Sequence, residues 1–286
     1  MIIQLSNEYG TFEIGGGTHP NANLQEITGL GLVSKETEEV SYSGMDGAVI
    51  LNERRSSRTI TLKFDYYGDR KLITTFFKIL QKPVKFILLA ENQYYREIDC
   101  RVISDVENVT IIPHRWHELT LQLTAPEPWF KSELKRINIR RFVNHFPNVS
   151  ENDSWYVQLP ATATSTIDHA EADNDGDDKV YPIINITNAA EVTGETNDYI
   201  AVKINDSTAK IMYHMARDEQ ITFNFPERKI ISSVNGNITK KITNDTILSN
   251  MYLDVGRSVI SVESSKVADV LNCTAEYQIK YGMAVI

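Results

Sequence analysis

Alternation of polar and apolar residues runs through most of the chain and predicts strands. It is clear in residues 59–64 and 118–123 and partial in residues 229–234, with β-branched residues enriched throughout. Asn235-Gly236 lies between two such runs. Because both residues tolerate positive φ, this pair predicts a two-residue hairpin turn. The pattern as a whole predicts a mainly β protein.

One segment departs from the alternation and predicts a helix over residues 69–82. Asp69 is a favourable N-cap, and Pro83 cannot continue a helix. Apolar residues recur between them at mostly helical spacing: Leu72, Ile73, Phe76, Phe77, Ile79 and Leu80. We expect one amphipathic helix of about three turns, packed on a sheet, and few other helices.

Length and composition are typical of a globular protein with two domains. The chain has 286 residues, of which 42% are hydrophobic and 23% are charged. No apolar run approaches the roughly 20 residues that cross a bilayer, and the N-terminus lacks the features of a signal peptide. We therefore expect no membrane association and accumulation in the cytoplasm of the cell that makes the protein.

Charge is distributed unevenly between the two halves. Residues 1–145 hold 18 Lys and Arg against 18 Asp and Glu, whereas residues 146–286 hold 11 against 20. The whole net charge of −9 therefore lies in the second half. We predict two domains, 1–145 and 146–286, with the boundary in the polar region between Phe130 and Asp153. Because one half is neutral and the other acidic, the charge distribution disfavours specific nucleic-acid binding, which needs a basic surface.

The acidic segment at residues 169–178 is a candidate calcium site. An EF-hand loop with Gly176 at its sixth position would begin at Glu171 and end at Pro182, where a bidentate Glu is required. No flanking helices are predicted either. A solvated acidic loop is the better interpretation, and we predict no metal site.

The other candidate sites, for a metal ion, a phosphate group or a reactive thiol, lack the residue spacing that each would require. His114 and His117 would face opposite sides of a strand, so they cannot share a metal ion. The glycines at 15–17 lack the Lys-Ser/Thr ending and the following helix of a phosphate loop. Cys100 lies in an alternating segment far from Cys273, which predicts a buried reduced thiol. We predict no catalytic residue, no cofactor and no enzymatic activity.

The order of several segments carries more information than any one of them. The segments are residues 44–47 (Gly-Met-Asp-Gly), 58–64, the single helix, 84–89, Tyr94-Tyr95-Arg96, and 121–125 running into Pro126-Glu127-Pro128-Trp129-Phe130. This succession resembles the N-terminal domain of the siphophage distal tail protein family. In that family a strand pair precedes one helix, and the domain closes on a Pro-x-Pro-aromatic signature.

The second half resembles the C-terminal domain of the same family, a galectin-like β-sandwich. The matching segments are Asn174-Asp175-Gly176 with residues 181–186, then 221–225, 228–231, Asn235-Gly236 and 253–260. Residues 161–178 depart from the family pattern because they are longer and more acidic. The resemblance thus implies an N-terminal ring-forming β-domain with one α-helix and a C-terminal galectin-like β-sandwich.

The resemblance also implies a structural virion protein of the phage tail tip. Family members form a hexameric ring, the baseplate hub, through their N-terminal domains. The ring connects the tail tube protein to a tail-associated hub or lysin protein and to receptor-binding or fibre proteins. Since its inner surface would surround the DNA path, we expect the arginines and lysines of residues 1–145, including Arg54, Arg55 and Arg58, mostly to pair with acidic residues at subunit contacts or to face outward.

Two other functions are compatible with this sequence. A carbohydrate-binding module would contact host cell-wall sugars through exposed aromatic residues, but Trp155 is the single Trp of the second half. Another tail-tube or baseplate protein would share the first domain, and the presence of a second domain favours the distal position.

Overall fold

A computed structural model describes residues 1–15, 22–44, 46–68, 70–90, 94–103, 110–112, 115–141, 168–188, 198–265 and 271–284. The described chain is built almost entirely of β-strands with one α-helix, which confirms the predicted mainly β fold. No helix in these ranges has the length and apolar character that a bilayer crossing needs. The chain divides into two compact units, residues 1–133 with 280–286, and residues 134–279.

Antiparallel strands form the first unit. Their bounds are β1 Ile2–Asn7, β2 Gly10–Ile14, β3 Ala22–Thr28, β4 Lys35–Val40, β5 Val49–Arg55, β6 Arg58–Tyr67, β7 Val84–Ala90, β8 Tyr94–Val102, β9 Thr110–Ile112, β10 Arg115–Ala125, β11 Phe130–Lys131 and β22 Lys280–Tyr281. The main sheet has the order β2-β1-β7-β8-β10-β6-β3, with β9 added to β10 and β11 to β8. Strands β4 and β5 form a separate two-stranded sheet.

The predicted helix is present as α1, Arg70–Leu80, and the predicted N-cap Asp69 lies outside the described residues. Its apolar residues Ile73, Phe76 and Ile79 are buried in the core of the first unit. The ring of Phe76 lies 4.6 Å from that of Phe12 and meets the ring of Phe64 edge-on at 5.7 Å. The helix therefore covers the apolar face of the sheet, as its spacing predicts.

The second unit is also antiparallel. Its strands are β12 Lys135–Arg141, β13 Asp168–Asn174, β14 Ile183–Asn188, β15 Tyr199–Ile204, β16 Ser207–Met212, β17 Gln220–Asn224, β18 Lys229–Ser232, β19 Gly236–Asn237, β20 Gly256–Ser264 and β21 Leu271–Tyr277. They pair in the order β16-β15-β20-β13-β12-β21-β14-β17-β18-β19. Strand β12 joins the two halves of this path, since it pairs with both β21 and β13. The galectin-like sandwich stays a prediction.

The hairpin between β18 and β19 differs from its prediction. Ser232 pairs with Gly236, so the loop has three residues, and the predicted two-residue turn at Asn235-Gly236 is wrong. Only Gly236 of that pair takes a positive φ, at 66°. The Ser232 hydroxyl accepts a hydrogen bond from the Asn235 backbone N–H at 2.9 Å. Three-residue loops are the next commonest hairpin type, and here the left-handed Gly236 directly follows the loop as the first residue of β19.

The last strand of the first unit is separated in sequence from its neighbours. β22 follows the whole second unit, yet Tyr281 pairs with Phe130 of β11. Beyond it, Ala284 is buried in the first core and its N–H donates to the Leu30 carbonyl at 2.9 Å. The compact units divide at residues 133/134, so β12 belongs to the second unit. The sequence places the domain boundary at residues 145/146, and whether those domains fold independently stays a prediction.

This arrangement predicts that residues 1–145 are incomplete as a folding unit. A fragment 1–133 joined by a short Gly/Ser linker to residues 280–286 should unfold cooperatively and at a higher urea concentration than fragment 1–145, because it regains β22. Circular dichroism against urea measures both midpoints. A linked fragment with residues 280–286 scrambled is the matched control, and equal midpoints for all three would contradict the prediction.

Candidate functional site: an exposed hairpin and its buried arginine

The β4–β5 hairpin, residues 35–55, is the most exposed element of the first unit, and we call it the arm. All of β4 except Val40 and all of β5 except Arg55 is exposed. A two-stranded ribbon with neither face covered is at best marginally stable in water. The arm is therefore a segment that a partner would stabilise.

The arm exposes apolar side chains on both faces of β5, since Val49 and Leu51 point to one face and Ile50 to the other. Val49, Ile50 and Leu51 are consecutive, and their side chains are 41%, 56% and 56% exposed. Tyr42, near the tip, is 54% exposed. Single exposed apolar residues are ordinary, but a run of three is unusual in a solvated strand and marks an interaction surface.

Ion pairs fix the register at the base of the arm. Lys35 pairs with Glu53, and the Arg54 Nε lies 2.8 Å from the Glu36 Oε2. These pairs are exposed, so each contributes little to the free energy of folding. Their role is to keep the two strands in one alignment, which presents the apolar run at a defined position.

Arg58 follows the arm directly and is buried, with only 2% of its side chain exposed. Its guanidinium donates to four backbone carbonyls. The Nε donates to Pro128 at 2.8 Å, one terminal nitrogen donates to Gly29 at 2.5 Å and Gly31 at 2.7 Å, and the other donates to Gly282 at 2.6 Å. One side chain thus joins the segment before the arm, the Pro-x-Pro-aromatic signature and the C-terminal segment.

Arg58 stays protonated although it is buried. Desolvation, with repulsion from Arg55, lowers the pKa of Arg58 to about 10, so the guanidinium stays protonated at neutral pH. It also lies 4.5 Å from the centre of the fully buried Phe130 ring. Its hydrogen-bond partners among the described residues are all carbonyl oxygens. The expectation that Arg58 pairs with an acidic residue or faces outward is wrong, because carbonyl dipoles and an aromatic face compensate its charge instead.

The two arginines before Arg58 lie in the arm and do not share this environment. Arg54 pairs with Glu36 of the same arm, and the Arg55 guanidinium lies 4.3 Å from the centre of the Trp129 ring. Trp129 is half-buried. The two aromatic residues of the signature at residues 126–130 therefore each contact an arginine: Trp129 contacts Arg55, and Phe130 contacts Arg58.

Gly29 is required where the chain passes Arg58. Its φ is +88°, and a Cβ at this position would lie 2.0 Å from the Thr59 carbonyl oxygen. Sequence reasoning missed this site. The available signal was the register of β6, in which Arg58 shares the inward face of Ile60 and Leu62.

A second charged cluster holds β11 and β22 together. Glu127 accepts from Lys131 and from Lys280, each at 2.9 Å, and Lys131 also lies 3.5 Å from Asp99. Burial alone would raise the pKa of Glu127, but its hydrogen bonds to Lys280 and Lys131 outweigh burial and hold it below its usual value. The Glu127 carboxylate is therefore an ionised bridge between the two strands.

The acidic segment at residues 169–178 is part strand, and two of its carboxylates form ion pairs. Its first part is strand β13, so the predicted loop is wrong up to Asn174. Glu171 pairs with Arg257, and Asp175 lies 3.6 Å from Lys135. In the described part of the chain, no group of three or more His, Cys, Asp or Glu side chains could hold a metal ion.

The other sequence candidates do not converge on a site. His114, Trp155 and the glycines at 16 and 17 lie outside the described residues, as does the side chain of His117. Both cysteines are buried and neither is part of a disulfide, as predicted for Cys100. Burial, with repulsion from Asp99, raises the pKa of the Cys100 thiol to about 12, so it is protonated and unreactive.

Asp198, His214 and Ser265 meet beside a small cavity in the second unit, but they do not form a catalytic triad. One carboxylate oxygen of Asp198 is hydrogen-bonded to the His214 Nδ1 at 2.5 Å. The other accepts a hydrogen bond from the Ser265 hydroxyl at 3.2 Å. In a triad the serine bonds to the histidine, which removes its proton. The cavity itself is about 20 Å³, which is room for one water molecule.

No family model and no curated protein matches the sequence. The structure matches the Dit protein of phage SPP1 with a TM-score of 0.58 and 13% identity, over 91% of this chain and 94% of that one. The two proteins share one fold. The Dit protein is described as a paradigm of the hub adsorption apparatus in phages that infect Gram-positive bacteria.

A chain of the phage P2 baseplate, in its activated conformation with calcium, has the same fold as Dit. It matches with a TM-score of 0.53 and 11% identity, over 100% of this chain and 99% of that one. The likeness to Dit and to this baseplate chain covers both units, and it confirms the resemblance to the distal tail family at the level of the fold. At 11–13% identity, most of what is shared is backbone geometry rather than side chains.

Replacing Arg58 should destabilise the first unit strongly. Arg58→Met leaves carbonyls unpaired in a buried position, and we expect a loss of about 3–5 kcal/mol in the free energy of unfolding. Arg58→Lys keeps the charge but not the planar fork, so its loss should be intermediate. Urea denaturation measures both. Arg54→Met, at an exposed arm position, is the control and should cost less than about 1 kcal/mol.

The Glu127 cluster should make stability depend on pH. Since the folded-state pKa of Glu127 is depressed, its contribution is present above the unfolded-state value near 4.5 and is lost as pH falls through the lower folded value. Urea midpoints should therefore separate wild type from Glu127→Gln at pH 7, and the separation should shrink as the pH is lowered below about 4.5. A difference that persists unchanged at pH 3 would show that the carboxylate charge is not responsible.

Proposed function

We propose that this chain is a structural protein of a phage tail, six copies of which form the distal tail ring. The ring, or baseplate hub, connects the tail tube to the apparatus that recognises the host. The observation that carries the proposal is the likeness of both units, over nearly the whole chain, to a hub protein and a baseplate chain. Because a fold alone does not determine function, the proposal also needs a physical means of assembly.

The arm supplies that means. Its residues Val49, Ile50 and Leu51 are exposed in the single chain and would all be covered if the next copy contacts both faces of β5. A contact in which the arm of one copy meets a different surface of its neighbour is heterologous, and repetition of that contact closes a ring when the rotation fits. The pairs Lys35–Glu53 and Arg54–Glu36 keep the arm in the register that such a contact requires.

The proposed partners follow from the position in the tail. The tail tube protein would contact one side of the ring, and a tail-associated hub or lysin protein with receptor-binding or fibre proteins would contact the other. The protein would be made in the host cytoplasm and act in the virion, by geometry rather than catalysis. The acidic second half would point away from the DNA path, where repulsion between like charges would keep neighbouring copies apart. We propose no specific binding of nucleic acid, because that needs a basic surface.

Substitution in the arm tests the assembly. Light scattering on the purified protein should give a mass of about six times the 32.5 kDa protomer. Ile50→Glu should give monomers, because it places a charge in the contact. Ile247→Glu is a matched control, since Ile247 of the second unit is also an isoleucine with 56% exposure, and it should leave the ring intact.

Two results would contradict the proposal. One is the same mass for both variants, which would remove the arm from the contact. The other is the absence of six-fold rings containing this chain from the assembled tail, seen by electron microscopy. Since assembly can depend on concentration, light scattering is measured over a dilution series.

A further inference from the structure

One outward sheet face of the second unit carries two adjacent rows of uncharged polar residues, and the exposed Ile231 of β18, opposite Thr222, extends one of them. The strand register places Asn138, Thr274, Asn185 and Thr222 side by side across β12, β21, β14 and β17. A second row beside it consists of Asn272, Thr187 and Gln220. All seven side chains are half-buried or exposed, and those of the alternate positions face the core. We call these seven residues the polar face.

The centre of the polar face is held in place before any partner arrives. The Asn185 Oδ1 accepts hydrogen bonds from the Thr222 hydroxyl at 2.8 Å and from the Gln220 amide at 3.1 Å. These two bonds fix the orientation of the Asn185 amide. Within the described residues its Nδ2 donates to no protein atom, so it remains free to donate outward.

The polar face is electrically neutral in the more acidic half of the chain. Along its edge, Arg136 pairs with Glu276, and Lys229 lies 2.9 Å from Glu227. These charges cancel in pairs outside the two central rows. The net charge of −9 carried by the second half is therefore located elsewhere.

Solvation alone does not account for this composition. The outward face of β15, β20 and β13, in the same unit, carries the ion pairs Lys203–Glu263 and Arg257–Glu171. Asparagine is depleted in strands because it fits a pleated surface poorly. Yet Asn138, Asn185 and Asn272 all occupy strand positions on the polar face, where a charged residue or threonine would serve a merely solvated surface as well.

Amide and hydroxyl groups each donate and accept hydrogen bonds without charge, as do the hydroxyls of a sugar. A nucleic acid would need basic residues, and none of the seven residues of the polar face is charged. We propose that the polar face binds a neutral, hydroxyl-rich glycan lying across the strands. Four adjacent strands span about 14 Å, which accommodates a short oligosaccharide.

Saturation-transfer NMR with oligosaccharides of known composition tests whether the polar face binds a neutral glycan. Chitohexaose, cellohexaose and maltohexaose are the neutral probes, and hexagalacturonic acid is the acidic one. At least one neutral probe should receive saturation and the acidic probe should not. Asn185→Asp retains the oxygen that accepts the two internal bonds but loses the outward donor and adds a charge, so binding should weaken at least tenfold.

Ser261→Asp is the matched control, because Ser261 is a half-buried residue on the charged outward face of the same unit. It should bind the neutral probe as wild type does. Equal binding by Asn185→Asp would overturn the proposal, as would a lack of transfer to every neutral probe at 10 mM or preference for the acidic probe. The experiment reads binding by single copies, so its result is independent of whether the chain forms a ring.

Discussion

The first unit depends on the buried guanidinium of Arg58. A charge removed from water is tolerated only where other groups replace its hydration, and here four carbonyls and the Phe130 ring do so. The carbonyls belong to segments far apart in sequence, at residues 29–31, 128 and 282. Because the guanidinium fork is planar and rigid, it fixes these segments in one geometry, and the base of the arm with them.

The two candidate contact features of the described chain, the arm and the polar face, are surfaces. The arm combines an apolar run with ion pairs that align it, while the polar face carries uncharged amides and hydroxyls on a rigid sheet. The two surfaces differ in chemistry and belong to different units. Contacts made through such separate surfaces can change one at a time, since a substitution in one surface leaves the other unchanged.

Periodicity in the sequence predicted the mainly β fold and α1, because local spacing determines which face of an element is apolar. It could not predict the role of Arg58, since an arginine in an alternating strand is ordinarily read as exposed. It also could not place β22, whose partner Phe130 lies about 150 residues earlier. The turn at Asn235-Gly236 was misjudged because its length depends on the strand register, which one sequence does not reveal.

The separation of β11 from β22 sets an order of events during synthesis. The 146 residues from 134 to 279 must leave the ribosome before β22 exists. At 5–20 residues per second this takes roughly 7–30 s, during which Arg58 lacks its Gly282 acceptor. A nascent chain therefore cannot complete the base of its arm early. Chains truncated by a premature stop before Gly282 never complete it, so only full translation yields copies with a finished first unit.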